Sequence, residues 1–263
     1  VLRWGDHEVS VALIRMIAHR EGFGNLLAEC SARAASILGR GSDYYAINIK
    51  GLDLYEVIRG AMGWGLGATT STRGGGHTTG GVIIETIGSL DVEKAKEVYG
   101  VDNPNKPQDY ENKAKLVYWN ETLQRLNNCL GVCHYNTSYF DPNLPNFPQL
   151  ADLYSAATGL ERSVEDLKRS ARRQLSLEKA LNLRFTDFDR KDDLPSRREL
   201  NEPIATGKLA GWRIDRGKYE GMLDEYYDLH GWDRQTSFPT RKALEELDLS
   251  HVADDLEKIR KLR

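Results

Sequence analysis

The stretch 108-QDYENKAKLVYWNETLQRLNNCLGVCHYN-136 joins a long helical pattern to the most chemically suggestive residues of the chain. Tyr110, Ala114, Val117, Tyr118 and Leu126 are among the apolar positions that predict a helix from Gln108 to about Asn127. Cys129 and Cys133 then fall at or just past its C-terminus, with His134 directly after. Four uses of the pair compete: haem attachment, half a zinc site, a ligand to an iron–sulfur cluster, or two core cysteines. Haem attachment takes two residues between the cysteines, and three stand here. Zinc takes four ligands, and no second Cys or His pair follows at finger-like spacing. Cysteine is among the most buried residue types, so the inert reading stays open. Cys30, on an amphipathic helix face, is expected to be a residue of that kind.

Outward from this stretch the patterns are mostly helical. Asp6 precedes Val9, Leu13, Met16 and Ile17, an N-cap followed by a helix. Asn25 can cap the next helix, which runs to Gly39. "YAINIKGLDLY" alternates as a short strand or extended link. Residues 60–81 carry nine glycines, which predicts loop with a short helix between. "SLDVEKAKEVYG" reads as a helix, and Ser163 with Asp166 predicts a capped helix to about Leu183. "TDFDRKDDLPSRR" fails the calcium-loop pattern, because Lys191 stands where an oxygen ligand is wanted. It reads as a solvated charged loop. In "EYYDLHGWD" the aromatic residues are expected to pack, with Gly231 as the helix stop. The expected fold class is mainly α, and no internal repeat is visible.

Composition narrows the function. Of 263 residues, 40% are hydrophobic and 29% charged, an ordinary globular balance in one large domain or two modest ones. The net charge of −3 argues against a nucleic-acid binder driven by bulk electrostatics. No apolar run approaches a membrane span. Three cysteines cannot make a secreted disulfide framework, so a cytoplasmic location is expected. The first residue is Val, and "VLRWGDHEVS" has no signal-peptide pattern, which suggests a piece of a longer chain.

A second candidate is "TSTRGGGHTT". Successive glycines let backbone lie close to a ligand and offer N–H groups to anions. Arg73 precedes them and His77 follows. A histidine held there could act as general acid or base near neutral pH. A flexible surface loop is the plain alternative.

The order of short motifs then carries more than any one of them. "WGD", "REGFGNLLAE", "KGLDL", "RGGGH", "CLGVC", "TDFDRKDDLPSRR", "MLDEYYDLHGWD" and "FPTRKALEELDL" follow one another. The succession resembles the C-terminal half of the tungsten-containing aldehyde:ferredoxin oxidoreductase family, from about Leu2 to about Asp255. The resemblance implies the multihelical C-terminal domains of that fold, with residues 1–48 finishing the second domain and 49–263 forming the third. It implies a tungsten (or molybdenum) bis-pyranopterin and one [4Fe–4S] cluster as cofactors. Cys133 matches the family's fourth cluster ligand, the other three lying in a segment outside this chain. Cys129 falls off the ligand position and is expected to be a buried bystander. His77 matches a histidine close to tungsten and would transfer protons. Asn128, Gly131, Val132 and Arg73 would contact pterin. The partners implied are ferredoxin or an electron-transfer subunit and a small-molecule substrate, with no nucleic acid and no membrane; a homodimer is one assembly open to it.

Two departures qualify the likeness. Asn128 replaces the family's aspartate and so loses an acceptor-only carboxylate. "DLYEVIRGAMGWGLG" lacks the family's D-P-R turn. They turn the expectation toward the tungsten subunit of class II benzoyl-coenzyme A reductases as a closer relative, or toward a non-catalytic helical module derived from the family.

Overall fold

A helix over Lys113–Leu130 carries most of the core, and the computed structural model describes the chain over residues 3–54, 56–87 and 90–263. In chain order the helices are α1 (His7–His19), α2 (Phe23–Leu27), α3 (Cys30–Leu38), α4 (Met62–Thr70), α5 (Val92–Tyr99), α6 (Lys113–Leu130), α7 (Phe147–Thr158), α8 (Val164–Phe185), α9 (Arg197–Asn201), α10 (Arg216–His230), α11 (Arg241–Glu245) and α12 (Ser250–Lys258). The strands among the described residues are β1 (Asn48–Ile49) and β2 (Leu52–Asp53), an antiparallel hairpin that pairs Asn48 with Asp53 and Ile49 with Leu52. The mainly α expectation therefore holds. No helix among the described residues is long and apolar enough to cross a membrane.

Twelve of the eighteen residues of α6 are buried. A surface helix buries one stripe; α6 is covered on several sides. Ala114, Leu116 and Val117 share a core with Met62 and Leu66 of α4 and with Tyr219, Met222 and Leu223 of α10. One turn further on, Leu123 and Leu126 pack with Phe147 and Leu150 of α7 and Leu167 and Ala171 of α8. A third cluster joins Leu183 of α8 to Leu244, Leu249 and Leu256 near the C-terminus.

Local signals place most helix ends. Asp6 accepts from the Val9 N–H at 3.1 Å and opens α1. Ser163 and Asp166 form the expected capping box of α8. Gly231 closes α10 in the left-handed conformation, and Tyr226, Tyr227 and Trp232 are buried as expected. Helix α5 is capped by Asp91 at its start and by Gly100 at its end; Ser89, which opens that segment, lies outside the described residues, as do Tyr55 at the end of the hairpin segment and Leu2.

Four expectations fail locally. Helix α6 starts at Lys113, not Gln108, because Asn112 turns left-handed at φ 60°; Tyr110 precedes the helix and its hydroxyl accepts from the Asp215 N–H at 2.8 Å. The segment after Asn25 is two helices, broken where Cys30 takes φ 61°, and Asn25 lies inside α2 behind its N-cap Gly22. At that break Cys30 is exposed. Finally, "TDFDRKDDLPSRR" is not simply solvated: it folds into a tight 3-10 turn, Arg190–Asp193, and buries Asp193.

Helix α4 runs through Gly63, Gly65 and Gly67, which no propensity scale favours. The reason is contact. A Cβ on Gly67 would lie 2.1 Å from the Gly80 carbonyl oxygen, and one on Gly63 would lie 2.9 Å from the Glu85 carboxylate. The helix touches its neighbours backbone to backbone, and that approach outweighs the entropic cost of glycine. Replacing Gly67 with Ala is expected to cost about 1–3 kcal/mol by overpacking. A thermal-unfolding midpoint unchanged from wild type would contradict this close approach.

Candidate functional site

The glycine-rich loop after α4 is held by protein rather than left open. The Gly75 N–H bonds to the Ile49 carbonyl at 3.3 Å, and the Gly74 N–H to the Ser71 carbonyl at 3.3 Å. A Cβ on Gly74 would lie 2.8 Å from Leu52, where φ is already +92°. The loop thus lies on the β1–β2 hairpin through its glycines and the Gly75 N–H, while the Gly74 N–H closes a turn on Ser71. Thr79 donates to the Ser71 hydroxyl at 2.6 Å and closes the loop on itself.

His77 sits at the end of this loop, partly buried. Its carbonyl accepts from the Gly81 N–H at 2.9 Å. Its ring stacks on Trp64 with centroids 5.0 Å apart and planes 19° apart. Its Nδ1 pairs with the Glu56 carboxylate, whose other oxygen accepts from Trp64 Nε1 at 2.8 Å. Glu56 and Trp64 line a cavity of about 870 Å³ that also takes in Val57, Ile87 and Pro107. Arg73, four residues before His77, is exposed and faces a different hollow, about 540 Å³, shared with Cys30 and Asp53.

The N-terminus of α4 positions Trp64. Ala61 offers no side-chain cap; Glu85 takes that part from a distance and accepts from the Gly63 and Trp64 N–H groups at 3.2 and 2.8 Å. The anion suits the positive end of the helix. Burial pushes the Glu85 carboxyl up, and the Lys113 ammonium at 2.5 Å opposes that rise.

Asp193 organises the other end of α4. It is buried, and Lys50 lies 2.6 Å away. Tyr227 donates to it at 2.7 Å, and the Lys179 ammonium stands at 4.0 Å. Lys50 also donates to the carbonyls of Thr69 and Ser71, at 2.8 and 2.9 Å. Burial would raise the Asp193 carboxyl, but Lys50 and Lys179 outweigh it and hold the group below the usual carboxylate range. Burial lowers Lys179 to about 8.

Cys133, Asn128, Gly131 and Val132 lie together where α6 stops. Gly131 caps the helix in the left-handed conformation, and the Val132 N–H returns to the Asn127 carbonyl at 2.9 Å. Val132 packs on the second core; Asn128, Gly131 and Cys133 are exposed. Cys129 is not buried as expected: Leu126 and Asn127 face the core, so the last turn carries Cys129 outward, where its thiol donates to Gln174 at 3.0 Å. His134 is half-buried, accepts from Asn127 at 2.8 Å, and burial pulls it down to about 4. Among the described residues, no group of three or more His, Cys, Asp or Glu is placed to hold a metal.

Arg125 joins the two candidate stretches. Its buried guanidinium donates to the Thr72 hydroxyl at 3.0 Å and pairs with Glu178 at 2.7 Å, while Thr72 donates to Glu178 at 2.6 Å. The glycine-rich loop is thereby tied to the C-terminal half of α6. Sequence reasoning did not single out Glu56, Trp64, Arg125 or Asp193 as parts of this arrangement. Asp193 and Lys50 do lie inside quoted motifs, and that was their one signal.

The family described as aldehyde ferredoxin oxidoreductase, domains 2 and 3, matches residues 1–249. The tungsten-containing aldehyde ferredoxin oxidoreductase of Pyrococcus furiosus is 32% identical over 251 residues, covering 94% of this chain and 38% of that protein. The WOR-like subunit of an aliphatic sulfonate oxidoreductase from the same organism is 24% identical, over 99% of this chain and 38% of that protein. The chain therefore spans about 38% of the length of these curated relatives. In fold it is similar to the active-site complex BamBC of benzoyl coenzyme A reductase, solved with 1,5-dienoyl-CoA; the TM-score is 0.70 at 22% identity, over 98% of this chain and 41% of that one.

Replacing Asp193 with Asn should destabilise the protein by about 3–5 kcal/mol, since it strands buried ammonium groups beside a neutral amide. Denaturant unfolding measures this; a loss below 1 kcal/mol would remove Asp193 from its organising role.

Proposed function

The chain belongs to the aldehyde ferredoxin oxidoreductase family, and from that premise we propose that it forms the C-terminal part of a tungsten (or molybdenum) bis-pyranopterin oxidoreductase. The reaction is a two-electron one, aldehyde oxidation to a carboxylic acid or a related conversion. Electrons pass through a [4Fe–4S] cluster to ferredoxin or a partner subunit, in the cytoplasm. Residues 1–48 finish the family's second domain and 49–263 form its third. The observation that carries the reading is His77: a partly buried imidazole, pinned by Glu56 and Trp64, whose partners line a cavity large enough for a small substrate.

The residues present fit their part of the cofactors. Cys133, exposed on the turn after α6, suits one thiolate of the four a [4Fe–4S] cluster takes. Asn128 offers an amide from the exposed last turn of α6, and Gly131 and Val132, whose N–H groups cap the helix, offer their carbonyls just beyond it. Arg73 offers a guanidinium from the glycine-rich loop, in a hollow of its own. When bound, the metal–pterin centre supplies the two-electron redox chemistry. The chain's own residues orient that centre, exclude water and move a proton at the His77 ring. Coenzyme A thioester reduction is the second reading, favoured by the fold likeness to the benzoyl coenzyme A reductase complex and by the missing D-P-R turn.

In the full-length protein purified without oxygen, elemental analysis should find about one tungsten or molybdenum and about four irons per chain; neither metal in folded protein would sink the reading. Cys133→Ser should lower iron content while Cys129→Ser leaves it unchanged, and equal losses would reverse that assignment. His77→Ala should cut turnover by about 10²–10⁴-fold with tungsten retained. Aldehydes and aryl coenzyme A thioesters, assayed side by side on the full complex, separate the two reactions.

A further inference from the structure

Glu56 lies in the stretch that lacks the D-P-R turn, and its carboxylate meets two donors at once. One oxygen accepts the indole N–H of Trp64 at 2.8 Å, and the other meets Nδ1 of His77. An indole nitrogen can only donate, and an ionised carboxylate can only accept. The proton between Glu56 and His77 therefore resides on Nδ1. That leaves Nε2 as the basic nitrogen of the neutral ring, since the nitrogen that carries the proton is set by the bond the other ring atom makes. Stacking on Trp64 holds the ring plane, and the Gly81 N–H holds the His77 carbonyl at 2.9 Å. A Cβ on Gly81 would lie 2.5 Å from the His77 Cβ, so this grip needs glycine there.

We infer that Glu56 is a positioning residue that, with Trp64, fixes the Nδ1–H tautomer of His77 and thereby makes Nε2 the atom that accepts the proton. The inference rests on the proposed role of His77 in proton transfer only for its catalytic consequence; the tautomer itself depends on geometry alone. Glu56→Gln keeps size and shape but changes the donor pattern. The Gln oxygen must serve Trp64, so its amide N–H₂ faces His77 Nδ1. The imidazole then protonates at Nε2, and the basic nitrogen points at Gln and away from the proton it should take.

The test is nitrogen-15 NMR of histidine-labelled full-length protein, with the His77 signals assigned by their loss in His77→Gln. In wild type at alkaline pH, Nδ1 should carry the proton; in Glu56→Gln, Nε2 should. A wild-type ring protonated at Nε2 overturns the inference, and that measurement stands whether or not the variant folds. An unchanged tautomer in folded Glu56→Gln overturns it as well. In the loaded enzyme, Glu56→Gln should lower kcat by about 10²–10⁴-fold while KM changes little, as when a histidine base elsewhere is left in the wrong tautomer. A switched tautomer with unchanged kcat would instead remove His77 from proton transfer and leave the positioning intact.

Discussion

The arrangement of the whole site depends on one buried carboxylate. Asp193 comes from a turn after α8, Lys50 from the tip of the hairpin, Lys179 from α8 and Tyr227 from α10, and all four converge. Burying an ion costs several kcal/mol, and only close opposite charge and further hydrogen bonds offset it. Such a pair adds little net stability. Its effect is on placement: separating Asp193 from its lysines leaves an uncompensated charge in the interior. Lys50 passes that constraint on, since the same ammonium grips the carbonyls of Thr69 and Ser71. The exit of α4, and hence the start of the glycine-rich loop, is set by charge rather than by apolar packing.

A second buried pair fixes the entrance of α4. Lys113, the first residue of α6, holds Glu85, and Glu85 holds the N–H groups of Gly63 and Trp64. Between these clamps α4 is smooth enough, through its glycines, to lie against the backbone of Gly80 and against Glu85. The indole of Trp64 then stands where His77 can stack on it. Arg125 completes the frame by tying Thr72 to α8, next to the turn that carries Cys133. Polar residues in the middle of a protein are costly unless paired; here each of these clamps sets the position of one residue of the candidate site.

The two candidate stretches differ in character. The Cys133 turn is exposed, with Asn128 and Gly131 beside it. The His77 loop is clamped at Ser71, Thr79 and Gly81. In the proposed function the clamped imidazole would move a proton and the exposed thiol would serve as a cluster ligand, while the cofactor would carry the redox step.

Much of this was legible in the chain itself. Asp6, Ser163 with Asp166, and Gly231 set helix ends because capping is local: the partners lie within a few residues. The order of the motifs identified the family and singled out His77 and Cys133, since short patterns survive in sequence. What the chain could not disclose depended on partners far apart. Nothing near Glu56 announces that Trp64 and His77, 8 and 21 residues away, will share its carboxylate. Nothing near Asp193 marks it as buried, and charge density there pointed to solvent. The glycines of α4 read as loop because propensity counts only the backbone entropy that helix formation loses. Tertiary structure reversed each reading for the same reason: burial and close approach act between segments that sequence spacing does not relate.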